Sequence, residues 1–500
     1  MFVAPDPGRL RLRNATRAVM GIALAVAAAE LCGFSLVASI TGGLAALVAL
    51  FTVTDATVRA QRITTALFPV AGFPVLALAT TLHGVTLARD AAFLTVVFCG
   101  VYARRWGPRG NALGIFAFMS FFMTQFLHAV PAQLPELYAS VSLALLVAGA
   151  VRFVIWPIER RNPPVAPPPG LPGGGLARPT TRQAFQATAA CLAALSIGQV
   201  LSEDRWYWAV GTVWWIFVNT TSRGETLIRG FRRVLGTVTG IAVGLLVAIP
   251  LHGAPVPTAA LVALCVFAIF YTAAVSYSWM VLAVTVMAGL LYGLLGVLDP
   301  ALLVLRLAET GAGTVCAALA VLLVLPVTTH ATTDAWIQRA LRCVHVCTAE
   351  AAARLDGSPD ADPARHIAEL ERLLGRVRLS LAPLVHPLSP MRARKARARQ
   401  VLALLDDCAR EVHGLAALAA RAAVPDVTYE ARLAVVCGRV ETAVEALTRP
   451  DGGPGTKVPD IVARPAGAEP ALAHLHGLER ALADLAAPLR GSPRPALTGA

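Results

Sequence analysis

Apolar residues fall in twelve runs along the chain, each close to the length that crosses a bilayer. Six lie in the first half, near residues 16–34, 36–54, 63–83, 87–104, 111–130 and 137–157. Six more follow, near residues 183–201, 206–221, 231–250, 257–275, 278–297 and 301–326. A transmembrane helix needs roughly 20 mostly apolar residues. The pattern therefore predicts an all-α membrane protein with about twelve transmembrane helices.

Whether residues 257–297 form one span or two is left open by the apolar pattern alone. A single helix of that length would overshoot the membrane. A break at Ser276-Tyr277-Ser278 is therefore favoured.

Two stretches interrupt the apolar pattern and divide the chain. One is rich in Pro and Gly, which is typical of a linker. Beyond the last run, charges are interspersed with helical periodicity, which indicates a helical domain outside the bilayer. The predicted domains are a first transmembrane repeat (1–158), a linker (159–182), a second transmembrane repeat (183–329) and a cytoplasmic helical domain (330–500).

The two transmembrane halves show signs of an internal duplication. A shift of 169 residues aligns Arg13 with Arg182, Gly42 with Gly211, Thr57 with Thr226, Leu82-His83-Gly84 with Leu251-His252-Gly253, and Pro157 with Pro326. One offset thus serves both ends of each half. Six spans per repeat is an even number, so the repeats are expected to be parallel, related by an axis along the membrane normal.

The distribution of arginine predicts the orientation. The net charge is +13, and arginines cluster before the first span and after even-numbered spans. Positive residues mark cytoplasmic loops, so both termini are expected in the cytoplasm, and the charge needs no nucleic-acid partner. The location predicted is the bacterial inner (plasma) membrane.

The segment from Arg229 to Gly244 places three arginines at the start of a glycine-bearing span. Arg229, Arg232 and Arg233 are spaced to share one helix face. They are either topology anchors for lipid phosphates or a site that captures an organic anion. The glycines, which are expected to let another helix approach closely, are Gly236, Gly240 and Gly244.

Charged and aromatic residues inside predicted spans are further candidates. Arg306 and Glu309 lie in the last span and are expected to pair, either as a structural pair or as a proton or substrate site. Trp214 and Trp215 either stack on an aromatic substrate or pack against lipid or core. Residues 206–208, Trp-Tyr-Trp, are expected in the aromatic belt at the outer interface.

Signatures of enzymes and bound cofactors are absent from the sequence. The chain contains no GxxxxGK[ST] nucleotide loop, no HExxH and no nucleophile elbow. Cys343 and Cys347 flank His345, but on a helix the imidazole points elsewhere, so packing is favoured over a metal site. We expect no enzymatic activity, no cofactor, no metal and no ATP hydrolysis by this chain.

The segment GETLIRGFRRVLGTVTGIAVG, followed later by RLAETGAGTVCAALAVLLVLP, resembles the fusaric acid resistance (FUSC) family and its integral-membrane-bound transporter domain. The residues that match the family pattern are Arg233, Gly236, Thr237 and Gly240, then Arg306, Glu309, Thr310, Gly313 and Pro326. The family is similar to aromatic carboxylic acid exporters and, more distantly, to plant malate channels. The first half lacks both motifs, so it is expected to be a scaffold.

The resemblance implies efflux of small organic anions, with aromatic carboxylic acids as the expected class. A passive anion channel and a non-transporting scaffold for a cytoplasmic partner remain alternatives. Besides the lipid bilayer and the anion, a periplasmic adaptor and a homo-oligomer stay open as partners. The glycine stripe, together with Gly313, is expected to place the arginine-bearing helix against the last span.

Overall fold

The computed structural model describes residues 9–158, 175–218, 220, 223–251, 254–297, 299–325, 329–355, 358, 360–385, 392–420, 427–448 and 470–490. Most of the predicted linker, His252-Gly253 and Pro326 lie outside these residues. The chain divides into two compact units, Met1–Val327 and Thr328–Ala500. Regular structure within the described residues is helical throughout, so the predicted all-α class is confirmed.

The Met1–Val327 unit contains one helix for each predicted apolar run. The helices of the first half are α1 (Leu10–Leu31), α2 (Leu36–Thr52), α3 (Val58–Thr81), α4 (Thr86–Tyr102), α5 (Gly107–Phe126) and α6 (Leu134–Ala150). Those of the second half are α7 (Pro179–Leu201), α8 (Tyr207–Phe217), α9 (Arg223–Leu251), α10 (Pro255–Thr272), α11 (Tyr277–Leu294) and α12 (Pro300–Leu323). Residues 257–297 therefore form two helices, separated at residues 273–276.

Many of these helices have the length and composition of membrane spans. Within the described residues, nine segments are long and apolar enough to cross a membrane, and one of them, Thr86–Phe126, combines α4 and α5. The predicted multi-pass membrane character is thus confirmed. The count of twelve spans stays a prediction, because α2 and α8 are too short to be among these nine segments.

The same helix pairs pack against one another in the two halves. In the first half, α1 contacts α2 and α6, α2 contacts α6, and α5 contacts α3 and α4. In the second half, α7 contacts α8 and α12, α8 contacts α12, and α11 contacts α9 and α10. Between the halves, the first helix of each half packs on the fourth helix of the other, since α1 packs on α10 and α7 packs on α4. Two copies of one six-helix unit would pack in this way, although the duplication itself stays a prediction.

Helix α8 is shorter than the sequence predicts. The apolar run at 206–221 is helical over 11 residues only, and the extended backbone of Val218 ends the helix. At about 1.5 Å per residue, α8 is roughly 16 Å long, well short of the ~30 Å hydrocarbon core. Such a helix is tolerated at membrane depth where protein surrounds it. Nine of the 11 residues are buried, and the two that are not are Trp208 and Trp215.

Two of the three aromatic residues predicted at the outer interface, Trp206 and Tyr207, lie in the protein core. Trp206 and Tyr207 are almost fully buried. The Trp206 ring meets the edge of Phe93 at a centroid distance of 5.7 Å, and Tyr207 meets Phe122 at 5.4 Å. The hydropathy pattern does not separate a ring at the lipid interface from one that packs against a neighbouring helix.

The glycines of α9 pack against α11 and not against the last span, which corrects the prediction. A Cβ at Gly236 would lie 2.6 Å from the carbonyl oxygen of Ser278, and one at Gly240 would lie 2.7 Å from the Cβ of Thr285. At Gly244 the nearest atom would be 3.8 Å away, an ordinary contact. Two of the three predicted packing glycines therefore need the absence of a side chain.

Gly313 of α12 makes the close approach to α8. A Cβ there would lie 2.6 Å from the carbonyl oxygen of Ala209. On α9, the glycine that faces α12 is Gly230, whose Cβ would lie 3.0 Å from a methyl carbon of Thr314. These approaches place α8, α9 and α12 around one another.

Within its described residues, the Thr328–Ala500 unit is a bundle of five helices. They are α13 (Thr329–Leu355), α14 (Pro363–Val385), α15 (Arg392–Ala419), α16 (Val427–Thr448) and α17 (Pro470–Arg490). Each helix packs on the next along the chain, except that α15 packs on α17, which in turn packs on α16. Leucines and valines such as Leu341, Val377, Val412 and Leu482 fill the core.

The His345 side chain points away from the neighbouring thiols of Cys343 and Cys347. Both thiols are buried, and Cys343 donates a hydrogen bond to the carbonyl oxygen of His366 at 3.5 Å. The Nε2 of His345 instead lies 3.7 Å from a carboxylate oxygen of Glu441 on α16. Among the described residues, no group of three His, Cys, Asp or Glu side chains is placed to hold a metal ion.

Candidate functional site

A cavity lies between the two halves of the Met1–Val327 unit. The centre of a water molecule can occupy about 110 Å³ of it, well above the ~10–15 Å³ that one water needs. Helices α2 and α5 form the wall from the first half, and α8, α9, α10 and α11 form the wall from the second. The lining includes Leu44, Val48, Phe51, Phe122, Phe126, Trp208, Trp215, Arg233, Ile269, Val284, Ala288 and Leu291.

Methionines contribute an unusual share of the cavity wall. The chain has seven methionines, and four of them line the cavity, namely Met119, Met123, Met280 and Met287. Methionine side chains are flexible and polarisable, adapt to irregular ligands and make favourable contacts with aromatic rings. The wall is therefore suited to apolar ligands that vary in shape.

Among the described residues that line the cavity, Arg233 is the one whose side chain is charged. It is 8% exposed, although its predicted position is near the membrane entry. Its Nη1 donates a hydrogen bond to the Tyr277 hydroxyl at 3.3 Å, and that hydroxyl donates to the Trp215 carbonyl oxygen at 3.2 Å. The guanidinium is thus held at the wall by a neutral partner.

The three predicted capture arginines have different surroundings. The Arg229 guanidinium carbon lies 4.2 Å from the centroid of the Tyr277 ring, so Arg229 and Arg233 meet at one tyrosine. Arg232 is exposed and does not line the cavity. Its position suits a contact with lipid phosphates better than one with a ligand in the cavity.

The two tryptophans predicted deep in α8 have different environments. Trp214 is almost fully buried and stacks on Phe118, with ring centroids 4.2 Å apart and planes 3° from parallel. It belongs to the core between α5 and α8. Trp215 is partly exposed and lines the cavity, so it is the one of the pair that a ligand can touch.

Arg306 and Glu309 lie beside the cavity, behind Trp208, and do not line it. The Arg306 guanidinium carbon lies 3.8 Å from the centroid of a Trp208 ring. Glu309 is fully buried, and within the described residues neither of its carboxylate oxygens has a hydrogen-bond partner. The predicted pairing is therefore wrong as a salt bridge, because the Arg306 side chain turns to the indole.

Sequence reasoning missed several residues of this site. Tyr277 was expected in a break between spans, yet it is the first residue of α11 and its hydroxyl reaches Arg233. The lining methionines are spaced by four residues on α5 and by seven on α11, which places each pair on one helix face. That spacing was a usable signal.

Together, the apolar helices and the largely apolar cavity define a multi-pass α-helical membrane protein. Residues 192–320, from α7 into α12, match the family model described as fusaric acid resistance protein-like. The match confirms, over this part of the chain, the resemblance seen in the sequence. It contains both motifs except Pro326, and it points to a function in membrane transport or efflux. No curated protein matches the chain.

Proposed function

We propose that this protein exports small organic anions, with aromatic carboxylic acids as the substrate class, and that it does so without hydrolysing ATP. The observation that carries the proposal is Arg233 in the cavity wall. It supplies one cation to a wall built mainly of methionine, phenylalanine and aliphatic side chains. An anion with an apolar body is the ligand that such a wall complements.

The two parts of an aromatic acid would meet two parts of the cavity. The ring would be desolvated among Phe122, Trp215 and the methionines, where burial of apolar area is favourable. The carboxylate would meet Arg233, whose planar fork forms bidentate hydrogen bonds. Within the described residues, no carboxylate lies within ion-pair distance of Arg233, so an incoming anion would not have to displace one.

The short helix α8 suits an alternating path. Trp208 and Trp215 lie on one face of α8, about 10 Å apart at ~1.5 Å per residue, and both line the cavity. Arg306 lies behind Trp208, and the hydroxyl that Arg233 contacts also binds the Trp215 carbonyl oxygen. Both tryptophans of the cavity wall therefore have an arginine close by. Short or broken helices at a repeat interface are common at transporter binding sites.

We place both termini and the Thr328–Ala500 unit in the cytoplasm, with twelve spans arranged as two parallel repeats. Reporter fusions after residues 84, 170, 253 and 340 test this arrangement. We expect external signals at 84 and 253 and cytoplasmic signals at 170 and 340, because arginine-rich loops are retained inside. An external signal at 170 or 340 would contradict the arrangement.

Replacement of Arg233 by lysine tests the binding site. We expect Arg233→Lys to lower the initial rate of benzoate efflux from preloaded cells by about tenfold or more, since the loss of one charge-assisted hydrogen bond is worth roughly 1.5–3 kcal/mol. Arg232→Lys, one residue away and exposed, is the matched control and should transport normally. Equal loss in both variants, or in neither, would contradict the assignment.

Flux measurements on the native protein and on an Arg233 variant distinguish export from the two rival functions, a passive channel and a scaffold. A passive anion channel would conduct benzoate across a planar bilayer with a current that does not change with the proton gradient. A non-transporting scaffold would show no efflux in the unmodified protein, and Arg233→Gln would have no effect on flux. Export requires efflux that depends on Arg233.

A further inference from the structure

Two opposite charges on α12 are buried next to each other without the ion pair that their spacing predicts. Arg306 and Glu309 are 4% and 0% exposed. Within the described part of the chain, neither Glu309 oxygen nor the Nη1 atom of Arg306 has a hydrogen-bond partner. Unsatisfied charges at membrane depth are costly and usually mark a functional site. The anion site proposed above at Arg233 assigns no ligand to either group.

The surroundings of Glu309 restrict what can satisfy its carboxylate. The positive charges close enough to Glu309 to attract its carboxylate are those of Arg306 and Arg205. The Tyr207 hydroxyl of α8 is also close enough to interact electrostatically with Glu309. Arg306 in turn interacts electrostatically with Arg233 of α9 and Tyr292 of α11. Helix α7 also packs on α12, and the titratable side chain that it places there is Cys191, which lies near Cys316 of α12. No second carboxylate belongs to this set, so a proton is the smallest species that removes the unpaired negative charge.

The position of Trp208 connects this pair with the cavity. One face of its indole is covered by the Arg306 guanidinium at 3.8 Å, and the side chain also lines the cavity. Its Nε1 donates to the Tyr292 hydroxyl at 2.5 Å, which fixes the ring. A rotation of this indole would expose Arg306 to a ligand in the cavity.

We propose that Arg306 and Glu309 form a second carboxylate-binding site, in which the anion and a proton bind together. When Glu309 is ionised, its charge offsets that of Arg306 and repels an incoming carboxylate. When a proton from water adds to a Glu309 oxygen, the charge of Arg306 is free to bind the substrate carboxylate. The proposal rests on the export function above and adds that one proton accompanies one anion at Arg306.

Linked binding of this kind has a thermodynamic signature. If a proton strengthens anion binding, the anion must strengthen proton binding by the same factor. Purified protein titrated with benzoate between pH 6 and 8.5 should bind more weakly as pH rises, by up to about tenfold per pH unit for one linked proton. Benzoate stays ionised over this range, since carboxyl groups of this kind titrate near about 4. In weak buffer, binding should take up protons, approaching one per benzoate at a pH where Glu309 of the free protein is ionised.

Substitution of Glu309 assigns the linkage. Glu309→Gln should bind benzoate at pH 8 as well as at pH 6 and should take up no proton. Glu309→Asp should retain the pH dependence. The control is Glu136→Gln, which removes a carboxylate that accepts a hydrogen bond from Ser35 in the first half of the chain, and it should behave as the native protein.

The outcomes separate this inference from the export function. Benzoate binding that is insensitive to pH in the native protein, or equally sensitive in Glu309→Gln, would overturn the proton-linked site and leave the Arg233 site intact. Absence of benzoate binding by the folded native protein would overturn both. The proton-uptake measurement needs no variant, so it tests the proposal even if Glu309→Gln fails to fold.

Discussion

Gly236→Ala should lower the amount of folded protein in the membrane several-fold. The new Cβ would lie 2.6 Å from the Ser278 carbonyl oxygen and 2.8 Å from the Val281 Cβ. Both atoms are fixed by the α11 backbone, so no rotation of a side chain can relieve the contact. Helices α9 and α11 must move apart, and overpacking of this kind costs roughly 1–3 kcal/mol. We expect a lower melting temperature in detergent and weaker recovery of monodisperse protein.

Gly244→Ala is the matched control for this prediction. It lies two turns further along α9, in the same glycine stripe, but its Cβ would lie 3.8 Å from the nearest atom. The variant should therefore melt within a degree or two of the native protein, or slightly above it, since alanine favours helix. If the two variants melt alike, the α9–α11 contact is not the reason for the glycines.

This contrast shows what the glycine pattern predicts and what it leaves open. Four-residue spacing indicates that one face of α9 is packed closely, and the close contacts at Gly236 and Gly240 agree with it. The pattern does not identify the partner helix, because that depends on how all the helices are arranged. The sequence placed α12 there, whereas the structure has α11 against the glycines and α12 against Gly230.

The positions of the helices were largely predictable from the sequence, because the bilayer fixes the length of an apolar helix. The exception is α8, whose apolar run continues past Phe217 while its backbone does not. Protein surrounds α8 on most sides, so the bilayer does not set its length. Hydropathy reports the burial of a segment, and it does not distinguish burial in lipid from burial in protein.

The site was predictable only in part, for reasons that concern side-chain partners. Arg233 was found because a cation at the start of a span is conspicuous. Tyr277 was missed because its polar neighbours indicate a helix break, and nothing local links it to an arginine 44 residues earlier. Arg306 and Glu309 were singled out as charges within a predicted span, and both are buried in the protein. Their mutual pairing was not observed, because the indole of Trp208 offers the guanidinium an alternative partner.

Ala288→Phe should abolish or strongly reduce transport without loss of folded protein. Ala288 is buried and lines the cavity on α11, between the positions of Met287 and Leu291. A phenyl ring there enters the empty space that we assign to the substrate ring, and it meets little resistance from neighbouring atoms because the space is already open. Overpacking is therefore limited, in contrast with Gly236→Ala, where the new atom meets the backbone.

The size of the substrate provides the sharpest readout. We expect Ala288→Val to slow 1-naphthoate efflux more than benzoate efflux, and Ala288→Phe to slow benzoate efflux at least tenfold, since the occupied volume excludes the larger ring first. Ala260→Phe, at an exposed position on α10, makes the same change outside the cavity and should leave both rates unaltered. If Ala288→Phe is present at normal levels and exports both acids at native rates, the cavity is not the substrate path. In that case the substrate crosses by a different route, and the residues of the cavity wall do not determine its chemical class.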